Sequence, residues 1–276
     1  MSSSIGKNAA ECGPCRSKPK SAVAQSPEEQ ARQEADEDLL KKIEAGDIAG
    51  VKAMLEGGQS PNVGDENGQS SMHKVMLVRD SAVAQQVFSL LLEHGAFADY
   101  TDSYGKRPLS VCMEQGDSAA AALLLAALLE LKDAGGSRIV DLTSINPKTG
   151  NTLVMDACWV GNLTATRALL ATGAFEGKLE ASNKQGQTAI HVAAFRASKE
   201  VVQALHEAGA DVNAVEKSSR RISKESAEGL AAAMGRSDTA DFLREMRAAA
   251  DAVRFAAKMK IKGKQAGAAK EADAAA

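Results

Sequence analysis

From Asn183 to Ala214 the chain reads N-K-Q-G-Q-T-A-I-H-V-A-A-F-R-A-S-K-E-V-V-Q-A-L-H-E-A-G-A-D-V-N-A, and this frame returns upstream. Gly150-Asn151-Thr152 opens a unit carrying Ala157, Gly161, Leu169, Leu170, Gly173 and Ala174. Gly105-Lys106-Arg107-Pro108-Leu109 opens another, with Cys112, Gly116, Leu124 and Leu125. Gly68-Gln69-Ser70 opens a third, with Met72, His73, Leu91, Leu92, Gly95 and Ala96. Self-similarity at this period narrows the possible folds sharply. One unit is too small to cover its own apolar face, so successive units must stack into a solenoid.

Within a unit the residues dictate two short helices and a turn. Ala193-Ala194 lets the first helix approach its neighbour closely. Val201, Val202 and Leu205 form the apolar stripe of the second helix. Gly209 supplies a residue that tolerates positive φ at the helix end. Asp211 and Asn213 favour a turn through side-chain hydrogen bonds to nearby backbone. Leu and Ala dominate while aromatics make up 3% of the chain, which favours helix over strand.

The Asn183 unit resembles an ankyrin repeat over its whole length: Gly186, Thr188, Ile190, His191, Ala193, Ala194, Val201, Val202, Leu205, Gly209, Ala210, Asp211, Val212 and Asn213 match in order. The resemblance extends over residues 36–246 as about six repeats. Leu39, Leu40, Ala45-Gly46-Asp47, Val51, Met54, Leu55 and Gly58 make an atypical first copy. Ser226, Leu230, Ala231, Ala232, Gly235, Asp238 and Leu243 make a degenerate last one. It implies an all-α, right-handed, curved solenoid with β-turn fingers. Terminal repeats need polar outer faces, which Lys41, Lys42 and Glu44 supply at one end and Arg244, Glu245, Arg247 and Asp251 at the other.

The repeat openings are spaced more widely than the ideal of about 33 residues. A short insertion falls near residues 78–82. A larger one occupies 117–146, in the third repeat, where an overlong second helix stopped by Gly135-Gly136 and an unusual connecting loop are expected. Residues 1–35 are polar, with Pro14, Pro19 and Pro27, and read as a disordered tail. Residues 247–276 read as an Ala/Lys-rich helix and tail.

Chemistry is sparse. Cys12-Gly13-Pro14-Cys15 has the spacing of a redox motif, but no strand precedes it and a polar tail follows. Zinc at these cysteines needs two further ligands that the spacing does not supply. Exposed tail cysteines, a thiol-redox site and reversible lipidation beside Arg16, Lys18 and Lys20 are the readings of this pair. Cys112 and Cys158 occupy small-residue positions of first helices, as packing cysteines. His73 and His191 take the family's structural histidine position, and His94 and His206 fall at exposed ends of second helices. No nucleophile–base grouping, phosphate loop, cofactor motif or metal pair emerges, and the chain reads as a non-enzyme that takes no small-molecule substrate.

Surface therefore carries the functional expectation. The resemblance implies that partner proteins meet the finger tips and the exposed ends of the first helices on a concave face. Trp159 and Val160, Phe195 and Arg196, Glu114 and Gln115, and Leu77 and Val78 fall at the helix ends. Tyr104 and Lys106, Lys148 and Asn151, and Lys184 and Gln187 fall at the tips. Trp159 and Phe195 could also pack on one another. Trp, Tyr and Arg are enriched in binding hot spots. Phe242, Met246, Ala250, Val253, Ala257 and Ile261, amid Arg244, Arg247, Arg254, Lys258, Lys260, Lys262 and Lys264, form a basic amphipathic pattern. It offers a membrane-, RNA- or calmodulin-binding alternative or a simple cap. Asp211-Val212-Asn213-Ala214 resembles a site at which ankyrin repeats are hydroxylated on Asn213, beside its role as a turn residue. A net charge of −3 gives no global nucleic-acid or membrane signal. The absence of an apolar leader and of a membrane-length apolar run fits a soluble intracellular protein, cytoplasmic or nuclear.

Overall fold

The computed structural model describes residues 26–116, 118–216 and 225–253. Eleven bounded helices lie in this range, and they pair in chain order. The pairs are α1 (Pro27–Ala45) with α2 (Ile48–Glu56), α3 (Ser71–Val75) with α4 (Ser81–Glu93), and α5 (Pro108–Glu114) with α6 (Ala119–Glu130). There follow α7 (Leu153–Val160) with α8 (Leu163–Ala171), and α9 (Ala189–Arg196) with α10 (Lys199–Glu207). Last, α11 (Ala227–Ala233) pairs with a helical stretch over 237–253.

First helices pack on first helices, from α3 through α5, α7 and α9 to α11. Second helices do the same from α2 through α4, α6 and α8 to α10. One continuous core results. Ala193 and Ala194 of α9 are fully buried where the helix meets its neighbours, and Val201, Val202 and Leu205 of α10 are equally buried. Cys112 and Cys158 lie inside this core as free thiols, and burial pushes both up to about 12. The fold is the expected all-α solenoid; among the described residues β-structure is limited to isolated bridges, two of which (Gly64–Ser70 and Ile145–Thr152) sit at the bases of fingers.

Four described fingers turn by one device. A single side-chain oxygen accepts two backbone N–H groups. Asp65 Oδ1 accepts from Asn67 and Gln69, and Asp102 Oδ1 from Tyr104 and Lys106. Asn146 Oδ1 accepts from Lys148 and Thr149, and Asn183 Oδ1 from Gln185 and Gln187. A glycine with positive φ follows each acceptor. At Gly150 the demand is double: φ is +76°, and an added Cβ would lie 2.9 Å from the Lys184 backbone nitrogen of the next finger. Fingers also bond directly. Ser103 N–H donates to Asn67 O (2.8 Å) and Lys184 N–H to Thr149 O (3.0 Å).

Three expectations need correction. Residues 27–35, read as tail, form the first half of α1. Ser26 and Glu29 close a reciprocal capping box, Pro27 begins the helix, and Glu28 and Glu29 suit its positive end. In the insertion, α6 stops at Glu130 and is no longer than α4; Leu131 is already extended. Gly135-Gly136 instead turns a small loop that an Asp133 side chain and a Lys132–Arg138 bridge organise. Arg138 Nη1 donates to Leu129 O at 2.8 Å and covers the open carbonyl end of α6. His206 is half-buried rather than exposed, its ring edge-on to Phe242 at 6.4 Å. His94 is exposed as expected. Cys12, Cys15 and the basic positions from Arg254 to Lys264 lie outside the described residues.

The polar ends fold partly as expected. Lys41 and Lys42 pair with Glu37 and Asp38 on the outer turn of α1. Glu44 turns inward instead: with Asp65 it clasps the Lys74 ammonium at 2.8 and 2.9 Å. At the other end Glu228 holds Arg244 and Arg247.

Candidate interaction surface

The first helices end in register, so the last residues of successive copies form two rows across the repeats. One row holds Leu77, Glu114, Trp159, Phe195 and Ala233. The other holds Val78, Gln115, Val160, Arg196 and Met234. Most of the large apolar side chains in these rows reach solvent: Leu77 is 37% exposed, Trp159 45%, Val160 36% and Met234 46%. Val78, expected here as a contact residue, is buried instead: α3 ends at Val75, three residues short of it. Ala233 and Met234 complete the rows, and the degenerate sixth copy hides them from a sequence reading.

Trp159 is the centre of the rows. Its ring stacks with that of Phe195 (centroids 6.3 Å apart, 20° between planes), and the Arg196 guanidinium lies 4.4 Å from its centroid. Arg236 fixes the end of α9 beneath this cluster. Its Nη1 and Nη2 donate to Ala197 O (2.6 Å) and Arg196 O (2.7 Å), satisfying carbonyls that the helix end leaves open.

The other expected contact residues group differently. Lys106 Nζ pairs with Glu114 Oε1 at 2.6 Å, which ties a finger to its own helix end. Gln115 is exposed at the end of α5. Tyr104 is 57% exposed at a finger tip, with Lys148 Nζ of the next finger 5.9 Å from its ring centroid. Lys184 Nζ donates to Pro147 O, linking the last two tips. Gln187 Nε2 donates to Glu216 Oε1 (2.7 Å). Asn213 serves as a turn residue: its N–H donates to Asp211 Oδ1 (2.9 Å), and its side-chain nitrogen is buried.

Behind the rows runs a polar ladder that spans three repeats. Asn183 Nδ2 donates to Asn151 Oδ1 (3.0 Å), Asn151 Nδ2 to Asp156 Oδ1 (2.9 Å), and Ser110 Oγ to Asp156 Oδ2 (3.4 Å). Burial raises the Asp156 carboxyl above the usual range despite these bonds. The ladder locks α7, and hence Trp159, to the neighbouring fingers. The inserted loop bounds a cleft of about 730 Å3 lined by Tyr100, Arg107, Arg138, Leu142 and Ala174. Its floor is the Arg107–Asp99 ion pair (3.1 Å), and Asp99 also accepts from the Asp141 N–H.

His73 and His191 are structural. His73 Nδ1 accepts from Ser70 N–H (3.0 Å), and its Nε2 lies 3.2 Å from Lys106 O of the next repeat. His191 Nδ1 meets Thr188 Oγ1 at 2.9 Å. Burial lowers both imidazoles below their ordinary value of 6.5. Below that pH the unfolded chain takes up protons on them that the folded chain refuses. Stability from these groups is therefore fully present above pH 6.5 and falls with pH, by at most about 1.4 kcal/mol per unit per histidine. Asp99 and Asp156, whose carboxyls burial raises, act in the opposite sense. Comparing wild type with a His73→Gln/His191→Gln variant separates the two effects. The wild-type melting temperature should fall more steeply between pH 7.5 and 5.5; parallel profiles contradict the assignment.

Comparisons with known proteins agree with this architecture. Residues 126–216 match the family model for ankyrin repeats (3 copies). The chain is 38% identical over 92 residues to the ankyrin repeat protein YahD of Escherichia coli K12, covering 32% of this chain and 45% of that protein. It is 30% identical over 148 residues to the human SH3 and multiple ankyrin repeat domains protein 2, covering 52% of this chain and 7% of that protein. The chain thus spans less than half the length of either relative. Among solved structures, a chain from the complex of a predatory endopeptidase of Bdellovibrio bacteriovorus with its immunity protein superposes with a TM-score of 0.57. It is 20% identical, over 75% of this chain and 96% of that one, a likeness of fold.

Proposed function

We propose that this chain, which carries an ankyrin-repeat domain, is a non-catalytic scaffold or adaptor that binds a protein partner on the concave face. Ankyrin repeats commonly mediate protein–protein interaction. The observation that carries the reading is the aromatic cluster at the centre of the two rows. A tryptophan left 45% exposed, held rigid by Phe195 and Arg196, loses little freedom on binding and offers a large apolar area. The flanking contacts are Glu114, Gln115 and Val160, with Tyr104 and Lys106 at the finger. The ladder beneath them holds the surface preformed, so little backbone movement accompanies binding.

The test is capture from lysate of the native host by wild type beside a Trp159→Ala/Phe195→Ala variant of unchanged helicity. A protein held by the first and lost by the second supports the reading. Equal capture places binding elsewhere, at the cleft of the inserted loop or the basic C-terminal segment. The rival membrane or RNA role through that segment predicts that removing residues after Met246 abolishes vesicle or RNA binding; the thiol-redox rival predicts a depressed thiol pKa at Cys12 or Cys15.

A further inference from the structure

The guanidinium laid on Trp159 has no acidic partner among the described residues, and that says what the partner carries. Among the described residues Arg196 has no acidic partner; its side chain lies on the Trp159 ring. Among the described residues Arg236 bonds to backbone carbonyls. The Lys199 ammonium sits 5.5 Å from the Phe242 centroid and faces the neighbouring Glu200 carboxylate. Among the described residues Arg196 and Arg236 therefore bring two cations without an acidic partner to the end of α9. The carboxylates nearby are engaged or displaced. Glu114 is tied to Lys106, and Glu200 accepts from Ser198 and faces Lys199. Asp156 is bound into the ladder, and Glu228 is held by Arg244.

A guanidinium laid on an aromatic ring keeps its N–H edges free in a fixed plane, the geometry that suits a carboxylate. Around it the exposed surface is apolar: Val160 and Met234 stand beside Arg196 in the same row, and Trp159 lies beneath it. We propose that the partner segment received here is an acidic peptide, whose Asp or Glu pairs with Arg196 while an adjacent aliphatic or aromatic side chain covers Trp159 and Val160. This inference rests on the docking face proposed above and specifies its ligand. Nucleic acid shares the anionic chemistry, but the aliphatic side chains along the rows favour a polypeptide.

The experiment selects dodecamer peptides from a random phage-displayed library on the full chain, then measures the synthetic peptides by fluorescence polarisation. The expected result is enrichment of Asp or Glu next to an apolar residue. An Arg196→Gln variant should bind them about tenfold more weakly, as the loss of one charge-assisted bond implies. Raised salt should narrow that gap. Enrichment of Lys or Arg, or equal affinity for the Gln variant, overturns the acidic partner while leaving the docking face intact. Binding of a single-stranded oligonucleotide that Arg196→Gln abolishes also overturns it. Failure to select any peptide over the Trp159→Ala/Phe195→Ala variant removes the docking face itself.

Discussion

Asn162→Ala should destabilise the solenoid by about 2–3 kcal/mol. Asn162 begins α8 and is buried. Its Oδ1 accepts from Ala165 N–H at 2.8 Å, the ordinary bond of a helix start. Its Nδ2 reaches into the preceding repeat and donates to Met113 O and Gly116 O, both at 3.1 Å. One amide thus closes the start of α8 and the end of α5. Loss of the start bond alone costs about 1 kcal/mol. Met113 O keeps the Gly116 N–H (3.2 Å), but the part-buried Gly116 O loses its side-chain donor, and an unpaired buried group costs about 1–3 kcal/mol before water relieves part of it. Asn162→Asp keeps the acceptor and removes the donor, so it should recover only the smaller share. Chemical denaturation with both variants measures this. An alanine variant within about 0.5 kcal/mol of wild type, the range of ordinary surface substitutions, contradicts the account.

Trp159→Ala should weaken partner binding by more than about 2 kcal/mol, roughly thirtyfold, with little loss of stability. The ring is the central member of the rows and already ordered, so truncation removes contact area without any compensating gain in freedom. Stability is spared because the ring is half in solvent and the core below it is closed by Ala157 and Cys158, both fully buried. Val160→Ala, at the same helix end, should cost less. Titration calorimetry with the captured partner, alongside thermal melts of each variant, separates lost affinity from lost fold. Matched affinity for Trp159→Ala and wild type rejects the hot spot.

The repeat frame was legible because its signals are local. A side chain two residues from a backbone N–H makes the finger turn, a glycine must follow it, and small residues must line the first helix; each is visible within a few positions. The start of α1 was equally local, since Ser26 and Glu29 have capping-box spacing, but an acidic, polar composition concealed it. The end of α6 was not legible. Gly135-Gly136 is a good helix stop, yet the helix ends earlier because Arg138, eight residues beyond Glu130, folds back onto Leu129 O.

The candidate surface divides in the same way. The positions of Trp159, Phe195 and Arg196 followed from register within each repeat. Their mutual stacking, the Lys106–Glu114 pair and the ladder from Ser110 to Asn183 depend on the offset between neighbouring repeats, which insertions of unequal length obscure. Met234 went unseen because its copy lacks the opening signature that sets register.

The most direct test of the docking face replaces Val160 with a photo-crosslinking phenylalanine analogue in one protein and Gln86, exposed on α4, in another. Irradiation in native lysate should join a specific protein to the Val160 position, and the Gln86 position should give no such product. Crosslinks to a defined protein from Gln86 alone, or from both positions equally, would contradict a partner seated on the ends of the first helices.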